Sequence, residues 1–215
     1  MRILAGAAVA AALSLAGVAQ AAIVGGAVTG GTAFGFGGVF VEETPGPGFS
    51  VGMDTKDNPN LWAFNEVQGY VLLADLTTDV GGVILAGTRI DSHYVYFDPV
   101  GSQNIGYVDF SGKVLGLLTS APTLTGTDSF LGRVGVTYLS PGLRGIEAGD
   151  FATFLGNRVN TDLTASTPGA YIRVLTLSRA VPEPATWLLM IAGFGFVGSA
   201  LRRGRRAAGR MAFAK

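Results

Sequence analysis

The chain has 215 residues, and its lack of cysteine excludes disulfides, thiol catalysis and cysteine-ligated metals. Fifteen basic and fifteen acidic residues cancel over the whole chain, but residues 22–181 carry eight basic against fourteen acidic side chains, a net charge of −6. An acidic central region whose basic residues are scattered singly argues against a nucleic-acid partner and against binding anionic lipid by charge.

The first 21 residues have the composition of a cleaved secretory signal peptide. Arg2 precedes an apolar, alanine-rich stretch over 3–18, and Ala19 and Ala21 then supply small residues at the −3 and −1 positions of a cleavage site. We predict cleavage after Ala21 and export through the Sec machinery. The alternatives are cleavage after Ala22 and an uncleaved N-terminal membrane anchor.

Residues 22–180 form the predicted exported body, which is long enough for one domain with its own core. Its first part, residues 22–38, is so rich in glycine that it predicts either a flexible leader or a first edge strand. Short β-branched and aromatic runs, separated by polar residues, glycine and proline, are typical of strands. The predicted strands are 39–41, 67–74, 82–90, 93–97, 105–110, 113–119, 134–139, 150–155 and a well-covered 171–177.

The connections between these strands indicate the fold class. Residues 110–113 have the length of a tight hairpin connection, and residues 120–131 predict irregular structure with one helical turn at 128–131. Because no long amphipathic helix is evident, the pattern predicts an all-β fold, a single antiparallel β-sandwich of jelly-roll-like type. A small barrel is the alternative.

Two places in the body carry residue types that bind metals or catalyse reactions. His93 is the only histidine, so a Ser-His-Asp triad needs it and a three-histidine zinc site is excluded; we predict a hydrogen-bonded or half-exposed strand histidine. One loop crowds together oxygen ligands of the kind that Ca²⁺ prefers, namely Asp54, Asp57, Asn58 and Asn60. Such loops commonly form turns with their own backbone, so we predict no cofactor and keep Ca²⁺ as the alternative.

Acidic and aromatic side chains leave a carbohydrate-directed function open. Glycoside hydrolysis needs a pair of carboxylates, and the body offers five candidates: Asp91, Asp98, Asp109, Glu147 and Asp150. No spacing in the sequence indicates that two of them converge. Six aromatic rings could stack on sugars: Trp62, Tyr70, Tyr94, Tyr96, Tyr107 and Tyr138. We predict that most of them lie in the core or in cross-strand pairs.

The end of the chain combines three features in a fixed order. Pro182, Glu183 and Pro184 hold the backbone extended, because proline lacks an N–H and restricts the residue before it. Trp187 begins an uncharged run over 187–201, and a basic cluster follows, made of Arg202, Arg203, Arg205, Arg206 and Arg210. The run spans about 22 Å as a helix, near the lower limit for crossing a membrane once snorkelling arginines are counted.

The flanks of this run predict its orientation. Tryptophan suits the outer interface and arginines suit the cytoplasmic side, which places the body outside and the tail inside. A buried core helix followed by a basic surface patch is the alternative.

This ordered set resembles the PEP-CTERM sorting signal of exported bacterial proteins, in the form that carries a tryptophan after the Pro-Glu-Pro triplet. The resemblance implies that an exosortase, an intramembrane transpeptidase, recognises residues 181–215 and removes them, so that the body is released or attached to a surface component. The nine residues after Arg206 depart from the pattern, since such signals usually end near the basic cluster. The stretch 61–177 is also similar to the β-rich bodies common in PEP-CTERM proteins.

The two ends and the body together predict an exported protein with a non-enzymatic structural or binding role. It is expected to pass transiently through the inner membrane and to reach the cell surface or the extracellular matrix, where polysaccharide is a partner by association with exosortase systems. Two alternatives stay open: a secreted carbohydrate-binding or glycoside-cleaving module, and a protein permanently anchored by residues 187–201.

Overall fold

The computed structural model describes residues 21–53, 55–99, 101–178, 191 and 193–195. The chain divides into two units, residues 19–179 and a second unit made of residues 1–18 and 180–215. In the second unit the four described residues are helical. Among the described residues, no helix is long and apolar enough to cross a membrane.

The larger unit is built mainly of strands. Two helices interrupt them, α1 (Gly31–Gly35) and α2 (Ala121–Leu131). The strands, in chain order, are β1 (Ile23–Gly30), β2 (Phe40–Glu42), β3 (Ser50–Val51), β4 (Leu61–Asn65), β5 (Tyr70–Val71), β6 (Leu76–Thr77), β7 (Val83–Ile84), β8 (Arg89–Phe97), β9 (Ser102–Phe110), β10 (Val114–Leu118), β11 (Thr137–Tyr138), β12 (Phe151–Leu155), β13 (Arg158–Ala165) and β14 (Ala170–Leu177).

Two sheets contain most of these strands. Sheet A has the order β1-β9-β13-β12, and sheet B has the order β10-β14-β8-β4-β2, with β5 also paired to β8. Two further pairs, β3 with β11 and β6 with β7, lie outside them. The prediction of a β-rich body is confirmed, but its antiparallel character is not complete, because β2–β4 and β3–β11 pair in parallel.

One hydrophobic core joins the two sheets. Its buried residues include Ile23, Val28, Val108, Phe110, Val159 and Leu163 from sheet A, and Leu61, Ala63, Val95, Phe97, Ile172 and Val174 from sheet B. Side chains from both sheets pack together, and each sheet therefore covers one face of the other.

A second core covers the opposite face of sheet B. It joins buried rings and aliphatic side chains of the sheet to α2 and to the segment 70–86: Phe64, Tyr94, Tyr96, Tyr171 and Leu175, with Leu124, Leu131, Leu72 and Ile84. Sheet B is thus covered on both faces, and β14 is buried along nearly its whole length, as its run of apolar residues predicted.

The glycine-rich segment 22–38 contains a strand, so the edge-strand alternative is correct. β1 pairs with β9 at the edge of sheet A. Its backbone lies unusually close to its neighbours, because a Cβ atom at Gly26 would come within 2.6 Å of the Tyr107 carbonyl oxygen and 2.7 Å of the Phe40 ring. Glycine at this position therefore permits the pairing, since a larger residue would separate the strands.

Several other predictions need correction. The segment 120–131 is not irregular but contains α2, and β4 and β13 were not predicted at all. The link 110–113 is not a hairpin, because β9 belongs to sheet A and β10 to sheet B. The predicted strands 67–74, 82–90 and 134–139 contain only β5, β7 with the start of β8, and β11 respectively.

Candidate functional site

The two ends of the body lie side by side. Gly112 separates them, because a Cβ atom placed there would come within 2.8 Å of Ala21 Cβ and 2.7 Å of the Leu177 carbonyl oxygen. The chain therefore begins its first strand and ends its last strand at the same end of the sheets. We call this end of the body the exit end.

At the N-terminal side, a buried carboxylate holds the start of the body. Asp91 is fully buried, and its two oxygens each accept a backbone N–H, from Ala21 at 2.5 Å and from Gly69 at 2.5 Å. The next residue, Ala22, donates its N–H to Ser111 Oγ at 2.9 Å. The predicted cleavage after Ala21 would remove one of the two donors from Asp91 and leave Ala22 as the new terminus.

At the C-terminal side, strand pairing continues to the last residue that the structure describes before the sorting segment. Leu177 donates its N–H to the Lys113 carbonyl at 2.8 Å, and Ser178 donates to the Arg89 carbonyl at 3.1 Å. Ser178 precedes the Pro-Glu-Pro triplet by four residues. The body therefore holds its chain firmly up to a point just before the predicted sorting signal.

Most of the predicted sorting residues lie outside the part of the chain that the structure describes. This applies to Ala19 of the cleavage site and to Pro182, Glu183, Pro184, Trp187, Arg202, Arg203, Arg205, Arg206 and Arg210. Within the predicted run 187–201, residues 191 and 193–195 are described, and they are helical.

His93 is a buried, hydrogen-bonded residue of β8. Its Nδ1 lies 2.6 Å from Asn65 Oδ1 and its Nε2 lies 2.9 Å from Thr176 Oγ1, so both ring nitrogens have partners. Burial lowers the pKa of His93 to about 3, which keeps the ring neutral at ordinary pH. The ring also packs against Phe110, with 4.8 Å between the centroids. The strand-histidine interpretation is confirmed, with full burial in place of half-exposure.

In the loop considered for Ca²⁺, the side chain of Asn58 stabilises the turn. Asn58 Oδ1 accepts the backbone N–H of Asn60 at 3.0 Å and the indole N–H of Trp62 at 3.1 Å. Asp57 is exposed, and Asp54 lies outside the described residues. Among the residues that the structure describes, no three His, Cys, Asp or Glu side chains are grouped as metal ligands would be.

The carboxylates considered for hydrolysis mostly have structural partners. Asp91 holds the two N–H groups described above. Asp98 Oδ2 accepts bonds from the backbone of Thr55 and Lys56, and Asp109 pairs with Arg158 at 2.7 Å. Asp150 accepts the N–H groups of Glu147 and Thr164, whereas Glu147 is exposed beside a cavity of about 410 Å³.

The aromatic residues lie largely in the second core, as predicted. Tyr94 and Tyr96 are fully buried, and Trp62 stacks on Tyr96 with 6.4 Å between ring centroids. Tyr107 differs, because it lies on the outer side of sheet A beneath the Arg158 guanidinium, 3.7 Å from the ring centroid.

A buried charge network was not predicted from the sequence. Arg173 on β14 and Glu66 after β4 form a fully buried bidentate ion pair, with Nε–Oε2 at 2.6 Å and Nη2–Oε1 at 2.7 Å. Arg173 also reaches α2, where it bonds to Asp128 Oδ1 at 2.9 Å and Thr127 Oγ1 at 2.6 Å. Arg144 adds a second bond to the same aspartate, at 2.5 Å. The network fastens α2 to sheet B.

Electrostatics within this network favour the charged pair. Burial alone would lower the pKa of Arg173, but the neighbouring Glu66 carboxylate more than offsets it and raises that pKa. Burial and the same carboxylate raise the pKa of Tyr138, whose hydroxyl donates to Glu66 Oε1. Ser92 Oγ donates to the other oxygen of Glu66 at 2.7 Å. The buried charges are therefore matched and hydrogen-bonded, which indicates a structural role.

Comparison with known families matches one segment of this chain. A family model described as the PEP-CTERM protein-sorting motif matches residues 180–206. The match begins two residues after Ser178 and includes the Pro-Glu-Pro triplet, the apolar run and the first four arginines of the basic cluster. The chain thus ends in a PEP-CTERM sorting motif, as expected of a PEP-CTERM sorting-signal protein. No curated protein and no solved structure matches the chain significantly.

Proposed function

We propose that this protein is exported through the Sec machinery, is held in the inner membrane by residues 187–201, and is cut by an exosortase near the Pro-Glu-Pro triplet. The body is then released or attached at the cell surface, within an extracellular polysaccharide matrix. The match of the sorting motif to residues 180–206, directly after the last strand, is the observation that supports this route.

The geometry of the exit end is compatible with cutting. β14 is paired on both sides within sheet B, and its pairing ends by Ser178. Cleavage near residue 182 would therefore break no strand pairing of the described body. A transpeptidase could remove the tail and leave the fold intact.

Substitution within the triplet tests the sorting step. In the native host, Pro184→Ala and Glu183→Ala are expected to leave the tail uncut, so that the protein accumulates in the inner membrane at its larger mass. Thr186→Ala, just outside the triplet, is the matched control and should be processed normally. Unchanged size and location in both triplet variants would overturn exosortase processing and favour a permanent anchor.

For the body, we propose a non-enzymatic structural or binding role without a bound cofactor. The bonds that Asp91, Asp98, Asp109 and Asp150 make within the fold support this proposal, because they occupy the carboxylates that hydrolysis would need. Screening the purified protein for polysaccharide binding and hydrolysis tests it. Hydrolysis that disappears with a single carboxylate substitution, such as Glu147→Gln, would overturn the non-enzymatic role.

The absence of a cofactor is tested separately by thermal unfolding. A higher melting temperature in millimolar Ca²⁺ would reveal a calcium site and contradict the proposal.

We interpret the shared core of the two sheets as that of a β-sandwich. The jelly-roll-like arrangement stays a prediction.

A further inference from the structure

We propose that the exit end of the body rests on anionic phospholipid of the membrane while residues 187–201 are inserted. This inference depends on the membrane step of the proposed function. It goes further by naming the surface of the body that faces the lipid and the residues that make the contact.

The length of the connecting chain limits where the body can be. Eight residues lie between Ser178 and Trp187, and the nine Cα-to-Cα steps span at most about 32 Å even when fully extended. β8 alone has nine residues, which corresponds to about 26 Å between its two ends. The exit end is thus within reach of the bilayer surface, whereas the connecting chain places no such limit on the opposite end of the sheets.

Exposed apolar side chains surround the point where the chain leaves the body. Val71 is 40% exposed, and it pairs with Arg89, which in turn bonds to Ser178. Two strand spacings, about 10 Å, therefore separate Val71 from the departing chain. Leu177 is 42% exposed, and Leu73, two residues beyond Val71, is 86% exposed. Apolar groups exposed together mark a surface that binds lipid or another protein.

The charge around the same point favours lipid over a second protein. Arg89 and Lys113 are both exposed, and their carbonyls hold Ser178 and Leu177, so they flank the departing chain. The other described basic residues are buried, paired with a carboxylate or bonded to a backbone carbonyl: Lys56, Arg133, Arg144, Arg158 and Arg173. Within the described part of the chain, the fold thus places two exposed cations without an ion-pair partner at the exit end, although its basic residues are scattered singly along the sequence.

Among the residues that the structure describes, the opposite end has no pair of exposed cations beside its apolar side chain. Phe36 is 75% exposed there, but it shares a cavity with Asp57 and Pro99. Both ends carry an exposed carboxylate near the apolar side chain, Asp57 here and Asp75 two residues after Leu73, so the exposed cations Arg89 and Lys113 are what distinguishes the exit end. Phe36 therefore provides a matched control, an exposed apolar side chain at the end that should stay in water.

The lack of cysteine makes a direct test possible with the full chain. Single-cysteine variants Leu73→Cys, Phe36→Cys and Ile191→Cys are labelled with an environment-sensitive fluorophore and reconstituted in vesicles of phosphatidylcholine and phosphatidylglycerol. Lipid contact shifts the emission to the blue and allows quenching by spin-labelled lipid. We expect both effects at positions 191 and 73 and neither at position 36.

A charge variant adds an independent readout. Each basic residue near an anionic surface contributes about 1 kcal/mol, roughly fivefold in binding. Arg89→Gln with Lys113→Gln should therefore reduce the docked-to-free ratio reported at position 73 by about 25-fold, and leave the signal at position 191 unchanged. Arg133→Gln removes one charge from a different part of the body and should have little effect.

The outcomes separate the two proposals. Lipid contact at position 191 with water at position 73 would overturn docking and leave the sorting route in place. Water at position 191 would overturn the membrane step, and docking with it. Lipid contact at both positions 73 and 36 would mean non-specific adsorption. A blue shift at position 73 without quenching by lipid would mean a protein partner. Either result would contradict docking of the exit end on lipid.

Discussion

At the scale of single residues, the Glu66–Arg173 pair makes the sharpest stability prediction. Both side chains are fully buried, so Glu66→Ala would remove the bidentate partner of the Arg173 guanidinium and leave Asp128 as its only carboxylate partner. We expect a loss of about 3–5 kcal/mol in the free energy of unfolding. Urea unfolding of the separately expressed body, residues 22–178, measures it.

Asp109→Ala is the matched control for this prediction. It also removes a carboxylate from an arginine, but Arg158 in that pair is 44% exposed, and the expected loss is much smaller than for Glu66→Ala because water screens the exposed charges. Equal losses in the two variants would show that burial of the Glu66–Arg173 pair has no special importance.

His93 predicts how stability depends on pH. Its folded-state pKa of about 3 is below the unfolded value of 6.5, so the unfolded chain takes up the proton first. Its contribution to stability is complete above pH 6.5 and is lost as the pH falls from 6.5 towards 3, at up to about 1.4 kcal/mol per pH unit.

The pH range from 7 to 5 separates this effect from titration of most carboxylates. Over it, urea unfolding should give a smaller pH dependence for His93→Gln than for the unmodified body, whatever the stability of the variant at pH 7. Parallel curves for the two proteins would contradict the buried neutral histidine.

At the scale of elements, β1 shows why the N-terminal part of the body is rich in glycine. Gly26→Ala would force a methyl group to within 2.6 Å of the Tyr107 carbonyl oxygen, and we expect a loss of about 1–3 kcal/mol. Hydrogen exchange should show weaker protection along β1. Gly35→Ala meets no atom within 4 Å and should be neutral; similar effects of both substitutions would contradict the close pairing.

The sequence predicted the strands whose side chains are strongly β-forming. β9, β10, β12 and β14 lie within or around predicted runs, because branched and aromatic residues recur in each. β13 has regular alternation of buried and exposed positions, but two of its buried residues are Thr161 and Ala165, which give a weak apolar signal.

Tertiary contacts account for the helix that the sequence did not predict. α2 contains Gly126 and several threonines, which are poor helix formers. Its buried residues Leu124, Thr127 and Leu131 face the second core. Arg173 donates hydrogen bonds to the Leu124 carbonyl and to Thr127 Oγ1. The arginine comes from a distant strand, and local sequence could not reveal that contact.

The buried polar groups were the least predictable part of the candidate site. Charged residues are normally exposed, so no pattern in the sequence indicates that Glu66 and Arg173 are buried together. The sorting motif was predictable because its residues are contiguous and act as an ordered linear segment. The exit end was not, since Arg89, Lys113 and Leu177 meet only when their strands pair.

At the scale of the whole molecule, one compact unit of residues 19–179 carries the β-rich fold, and the sorting motif begins at its end. The body should therefore keep its structure after the tail is removed. Near-ultraviolet circular dichroism of the processed protein and of residues 22–178 expressed alone should coincide. Loss of cooperative unfolding in the shorter chain would contradict an independent body.

The intact mass of the protein from the membrane, cell-surface and medium fractions of its native host tests the sorting route most directly. We predict a surface or medium form that lacks residues 1–21 and everything after about the Pro-Glu-Pro triplet, with any added mass identifying the attached group. Recovery only from the inner membrane, with residues 182–215 still present, would contradict exosortase processing and identify the C-terminal segment as a permanent anchor.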